Sequence, residues 1–413
     1  MKKYVQKCRQ YIRDTNSQDD RGRQGTEMIK EKLLTEQDKK SNYEKLYALM
    51  EEQQLEGLFV SGDAAMKYVN GEFAVGWGVF GLIPRHGTAI FFQGNEGREY
   101  ILTPVKKNID NYWIKEYALM TIPNVIKAFH EKGMDGKRVG FNTEAMPLGL
   151  YEAFSKVLDF VDIVDISDKF RQQRRIKGGG YLNIIEEAID IVDTCVRELP
   201  ELLHTGMYEM EVKAILQNMM LSRGAEDSLI LLNADRTDIS APAIPSDHLP
   251  VPIKKGDKMV VEITVCFRGC WLQKIAIYSF GEPEQEYIDM FNAVDEAIWT
   301  SVKMVKPGTN TKDLVNAIDD YIEQKGFLSG RKDFITGPCG HLSGYEMDEA
   351  TFSCNRDFIL QDGMLFVLHP GAAMPGWEEG KPGIFGPGTM FLVTKDGVKS
   401  LNKTSNEIYI VER

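Results

Sequence analysis

The chain has 413 residues, with 49 Lys and Arg against 61 Asp and Glu, giving a formal net charge of −12. At about 100–200 residues per domain, this length fits two or three domains. Charged residues at 27% and hydrophobic ones at 43% exclude a disordered or fibrous chain. The acidic balance argues against nucleic-acid binding, which needs clustered Lys and Arg, and favours neutral or cationic small molecules as partners.

No stretch approaches the ~18 continuous apolar residues of a membrane helix, so no membrane partner is expected. The first residues, MKKYVQKCRQYIRDTN, carry positive charge without an apolar run behind it, unlike a secretory leader. Six cysteines are too scattered for a disulfide framework. A reducing cytoplasm is the expected compartment.

In chain order, residues 1–40 read as a polar N-terminal arm. Apolar spacing predicts a helix over Tyr43–Gln54, and LEGLFVSG, bounded by glycine, predicts a buried strand. TAIFFQG, EYILTPV and KRVGFNT read as further strands, with a helix at Asn124–Glu131, so residues 41–165 form an α/β domain. The basic run and triple glycine of RRIKGGG read as a solvated linker opening a second domain, 166–413. Helices are predicted over Tyr181–Leu203 and Glu209–Arg223, followed by a proline-rich loop, SAPAIPSDHLPVP. KMVVEITVCF and CWLQKIAIYSF read as a strand pair. Helices follow at Gln285–Val305 and Thr311–Lys325, then short strands divided by Gly and Pro. No internal repeat is present.

The strand pair is informative. A turn centred on Phe267 and Arg268 sets Glu262 directly across from Gln273, with Val260, Thr264, Trp271 and Ile275 on the same face. A polar pair inside two apolar strands marks either a satisfied hydrogen bond within the sheet or a site.

At these residues the chain resembles a known family. RRIKGGGYLNIIEEA, IKKGDKMVVEITVCFRGCWLQ, MVKPGTNTKDL, GPCGHLSGYE, LQDGMLFVLHPG and FLVTKDG occur in an order similar to the creatinase, aminopeptidase P and methionine aminopeptidase superfamily, the pita-bread enzymes of peptidase family M24. LEGLFVSG and MKYVNGEF resemble the N-terminal domain that creatinase and prolidase place before it. The resemblance implies an α+β chain: a smaller α/β domain, then a pita-bread domain with a curved antiparallel sheet. It also implies a homodimer.

The family's peptidases hold two divalent metals on Asp, Asp, His, Glu and Glu. Carried over by motif, the first Asp falls on Glu262 and the second, across the hairpin, on Gln273. The histidine of GHxxG is kept as His341. The Glu before Pro-Gly becomes His369, and the last Glu falls on Gly388. Metals bridged by carboxylates need anionic oxygen ligands, which Gln273 and Gly388 do not supply. A single transition-metal ion on Glu262, His341 and His369 is a chemical alternative. The resemblance therefore points to the metal-free creatinase branch and to no cofactor. Yet creatinase carries its catalytic histidine about eleven residues before the GD motif, where this chain has Pro245, with His248 nearby.

The reading that follows is a metal-independent hydrolase cleaving a C–N bond of a small nitrogenous compound. His341, His369 and Glu262 would be its catalytic groups, since histidine titrates near neutrality and can both activate water and protonate the leaving nitrogen. Gln273, Asp348, His248 and Trp77 are candidates for contacting substrate, and Ser343 for orienting it. The acidic run around Asp348 reads otherwise as a solvated turn, and Cys266, Cys270 and Cys339 as buried structural thiols. One alternative is a catalytically silent pita-bread protein that binds a ligand or partner. A second is an Xaa-Pro peptidase with altered metal ligation.

Overall fold

The computed structural model describes residues 35–71, 79–93, 96–100, 114–234, 252–330, 339–353, 357–376 and 381–413. Helix α1 (Glu36–Gln53) begins earlier than apolar spacing alone suggests, because Thr35 and Asp38 form a reciprocal capping box. Strand β1 (Gly57–Ser61) pairs antiparallel with β2 (Val79–Pro84) and parallel with β5 (Arg138–Phe141). With β3 (Ala89–Gln93), β4 (Glu96–Tyr100) and β6 (Asp162–Asp165), they form a six-stranded mixed sheet in the order β4-β3-β2-β1-β5-β6. One face is an aromatic core in which the Phe59 ring lies 5.0–5.4 Å from those of Phe80, Phe129, Phe141 and Phe154. Helices α2 (Asp63–Asn70), α3 (Ile114–Glu131) and α4 (Leu148–Val157) complete the N-terminal part.

Helices α5 (Ser167–Arg174) and α6 (Gly179–Glu198) flank the RRIKGGG segment, which is not the solvated linker its composition suggests. Arg174 and Lys177 are only 3% and 4% exposed. The Lys177 ammonium donates to Glu349 Oε2 at 2.5 Å and to two backbone carbonyls, and Arg174 pairs with Glu346 at 3.0 Å. Burial raises the Glu349 carboxyl and lowers Lys177, each partly offset by the other's charge. The glycines have a steric reason. A Cβ on Gly178 would lie 2.5 Å from an Asp38 carboxylate oxygen, and that carboxylate also accepts the Gly180 N–H at 2.7 Å. Composition missed this because the neutralising acids lie some 170 residues away in the sequence.

Along α6, Tyr181, Ile184, Ile185, Ala188, Ile189, Val192 and Cys195 recur at helical spacing and are all buried. Each fully buried Ile contributes roughly 1.5–3 kcal/mol. This stripe packs on the strand pair β8 (Lys258–Phe267) and β9 (Cys270–Ser279), the centre of a four-stranded sheet ordered β18-β9-β8-β7. Its outer strands are β7 (Asp227–Asn233) and β18 (Ile408–Ile410), and helix α7 (Glu209–Leu221) lies before β7. The second half of the domain holds α8 (Gln285–Ser301) and α9 (Thr311–Gln324) against a five-stranded antiparallel sheet, β12-β11-β13-β16-β17. These strands are β11 (Gly340–Ser343), β12 (Ala350–Phe352), β13 (Leu365–Leu368), β16 (Thr389–Thr394) and β17 (Gly397–Ser400). A small three-stranded sheet joins β10 (Leu328–Ser329), β14 (Gly371–Ala373) and β15 (Gly383–Phe385). Among the described residues, no helix is long and apolar enough to cross a membrane.

The β8–β9 register corrects the expectation. The turn is Arg268–Gly269, both at positive φ (50° and 81°), so Glu262 faces Ile275 and Gln273 faces Thr264. A two-residue turn with both φ positive matches strand twist and favours glycine second, and Phe267 continues the strand. Glu262 and Gln273 still share a face but are diagonal neighbours.

Candidate active site

Four strands meet at the site. Near its start, β9 is pinned to the loop after β11: Trp271 N–H donates to Gly344 O at 2.8 Å, and the Ser343 hydroxyl donates to Trp271 O at 2.8 Å. Farther on, the Gly388 N–H donates to Ile275 O at 3.0 Å, tying β9 to the entrance of β16. Gln273 lies between these two anchors. Since β13 runs between β11 and β16, His369, which follows it directly, and the His341 of β11 come together. Their ring centroids are 5.3 Å apart. The GHLSG glycines make this possible. A Cβ on Gly340 would sit 2.0 Å from Val367 O, and one on Gly344 2.1 Å from Lys177 Cε.

The electrostatics are those of a dry pocket. Burial raises the Glu262 carboxyl from its ordinary 4.5 to about 7, the Thr264 hydroxyl opposing the shift. Burial, with the neighbouring His341, lowers His369 to about 3. His341 is lowered by burial too, against the charge of Asp348, and its Nδ1 lies 3.1 Å from Leu342 O. Both imidazoles are therefore neutral at pH 7 while Glu262 stands near its midpoint. Among the described residues, neither ring nitrogen of His369 has a hydrogen-bond partner, nor does the Gln273 Nε2. These side chains are only 2% and 1% exposed.

The structure thus brings His341 and His369 together and sets Glu262 and Gln273 as diagonal neighbours on one face of β8 and β9, with β9 tied to the loop after β11 and to the entrance of β16. Asp348 is exposed, its carboxylate accepting from Thr351 at 3.1 Å. The acidic run is not a uniform solvated turn, because Glu349 is buried on Lys177. Ser343 spends its hydroxyl proton on the Trp271 carbonyl and so serves the strand junction. His248 and Trp77 lie outside the described residues. Cys266 and Cys270 are buried, their thiols pushed up to about 12, and burial raises Cys339 as well, as expected of structural thiols. Sequence reasoning missed Phe385, whose ring lies 5.1 Å from His369. Period-2 alternation had set Ile275 on the right face, but no motif marks Phe385.

The donor set does not fit a carboxylate-bridged metal pair. Gly388 supplies no ligand, and a Cβ there would meet Ile275 Cβ at 2.9 Å and Ile275 N at 3.1 Å, so the neighbouring strand fills that side. Gln273 offers a neutral amide. Among the described residues, no group of three or more His, Cys, Asp or Glu is placed to hold a metal ion.

A two-part chain with this sheet arrangement has the architecture of the pita-bread class. The chain belongs to metallopeptidase family M24, whose model matches residues 183–397, and the creatinase/prolidase N-terminal domain matches residues 43–176. It is 24% identical to an Xaa-Pro dipeptidase of Pyrococcus furiosus over 89% of this chain and 99% of that one. It is 26% identical to the uncharacterized peptidase YqhT of Bacillus subtilis over 67% of this chain and 75% of that one. In fold it is similar to the Xaa-Pro dipeptidase of Bacillus anthracis, with a TM-score of 0.73, 21% identity, and coverage of 90% and 99%. The expected α+β, pita-bread architecture is present. The expected creatinase-like, metal-independent cleavage of a small nitrogenous compound is overturned, because a curated relative matched over nearly its whole length is an Xaa-Pro dipeptidase.

Proposed function

We propose that this protein is a hydrolase of short Xaa-Pro peptides with an altered ligand set at its centre. The observation that carries the reading is the end-to-end likeness to an Xaa-Pro dipeptidase, joined to a buried pocket that keeps proton-transfer groups. Glu262, near its midpoint at pH 7, can take a proton from water and return it to a leaving nitrogen, as a general acid–base requires. Neutral His341 and His369 can each donate one hydrogen bond and accept another. Phe385 adds an aromatic wall beside His369.

The test is proline release from Gly-Pro, Ala-Pro and Leu-Pro, with the protein as purified, after chelation, and after adding Mn²⁺, Co²⁺ or Zn²⁺. Saturable release that collapses by at least about 100-fold in Glu262→Gln supports the proposal, general acid–base groups being worth about 10²–10⁴ in rate. The substitutions at Gln273 and Gly388 favour a second reading, a peptide-binding protein without turnover. Saturable binding with no release in any arm would establish it.

A further inference from the structure

The site holds hydrogen-bonding groups that no described residue answers. Gln273 Nε2 carries two N–H donors, and a neutral His369 carries one donor and one acceptor whichever tautomer it adopts. Both side chains are more than nine-tenths buried, and among the described residues these atoms have no partner. A buried donor without a partner is costly, so such groups mark a place that something else completes. Two donors call for an oxygen acceptor, and an amide N–H cannot hold a cation. The charged and titratable groups facing the pocket are Glu262, His341 and, at its edge, Asp348.

We propose that Gln273 and His369 bind a carbonyl or carboxylate oxygen of the peptide ligand directly by hydrogen bonds. This rests on the peptide reading above and names the part of the peptide that the pocket grips. Gln273 is the specificity-determining residue of the pair, because it supplies two donors from a strand fixed on both sides of it, at Trp271 and Ile275.

The experiment measures binding calorimetrically on the full chain with three probes: Gly-Pro, glycyl-prolinamide, and the analogue of Gly-Pro with CH₂ in place of the peptide carbonyl. Gln273→Ala and Gln273→Glu, the latter the same shape with an acceptor replacing the donor, are expected to weaken Gly-Pro by roughly 5–50-fold. His369→Phe should lose a similar factor, with circular dichroism and the thermal midpoint confirming the fold of each variant. If the carboxylate is the gripped oxygen, glycyl-prolinamide loses that factor in the unmodified protein; if the carbonyl is, the CH₂ analogue does. Gln273→Glu binding within about 2-fold of the unmodified protein would overturn the inference, as would no saturable binding of any probe. Gln273-dependent binding without proline release would remove the hydrolase reading and leave this inference standing. Proline release whose KM ignores Gln273 would do the reverse.

Discussion

Where α5 passes into α6, the buried Lys177 ammonium reaches Glu349 and two carbonyls, and Glu349 also accepts the Tyr345 N–H at 2.8 Å. At the nearby site, the equally buried His369 and Gln273 keep nitrogen atoms with no partner among the described residues. Both clusters are polar groups inside a core, where desolvation is costly. The Lys177–Glu349 pair is answered by its own chain and behaves as structure. The other is left open where β9, β11, β13 and β16 converge, and an open buried site has its use in what enters it. Buried polarity alone therefore does not mark function.

The comparison can be broken first at the Lys177–Glu349 pair. Lys177→Met leaves Glu349 charged and unpaired, and should cost about 3–5 kcal/mol in denaturant unfolding. Adding Glu349→Leu should restore most of that. If the single variant unfolds like the unmodified protein, the cluster is not structural.

At the open cluster the effect runs through pH. Glu262 has its folded value raised to about 7 from 4.5, so the folded state holds the extra proton between those values. Stability should fall as pH rises from 4.5 to 7, by up to about 3 kcal/mol, and stay low above. His369, lowered from 6.5 to about 3, acts oppositely and loses stability as pH falls below 6.5. Unfolding at pH 5 and 8 separates them, because Glu262→Gln should abolish only the first trend.

A smaller effect tests the backbone beneath the pocket. Gly340→Ala drives a methyl into Val367 O and should cost about 1–3 kcal/mol by overpacking, together with activity, since β11 carries His341. The smallest sharpens the contrast most. His369→Leu removes a buried group with no partner, so stability should change by less than about 1 kcal/mol or rise, while peptide binding drops. A large loss of stability on calorimetry would mean that His369 belongs with the Lys177–Glu349 pair.

Much of the fold was legible because hydrophobic periodicity is local. The buried stripe of α6 and the apolar runs of β8 and β9 sit where their spacing puts them. The capping box that starts α1 at Glu36 was equally local and was passed over for lack of apolar residues. The hairpin was misread by one turn position, as the choice between Phe267–Arg268 and Arg268–Gly269 depends on which pair accepts positive φ. In the site, the motifs GHLSG and LHPG marked His341 and His369, and period-2 alternation marked the shared face of Glu262 and Gln273. They said nothing of Phe385, or of Ile275 filling the side of Gly388.

By itself, the sequence determined the order of helices and strands, the two-part organisation and the residue types at the centre, because each rests on spacing or motif within a short window. Only the tertiary structure decided that RRIKGGG is a buried joint and not a linker, and that Glu346 and Glu349 belong to it. It alone left Gln273 Nε2 and the His369 ring nitrogens without hydrogen-bond partners among the described residues. Charge pairing and hydrogen-bond satisfaction are properties of contacts between residues far apart in the chain, and no local pattern records them.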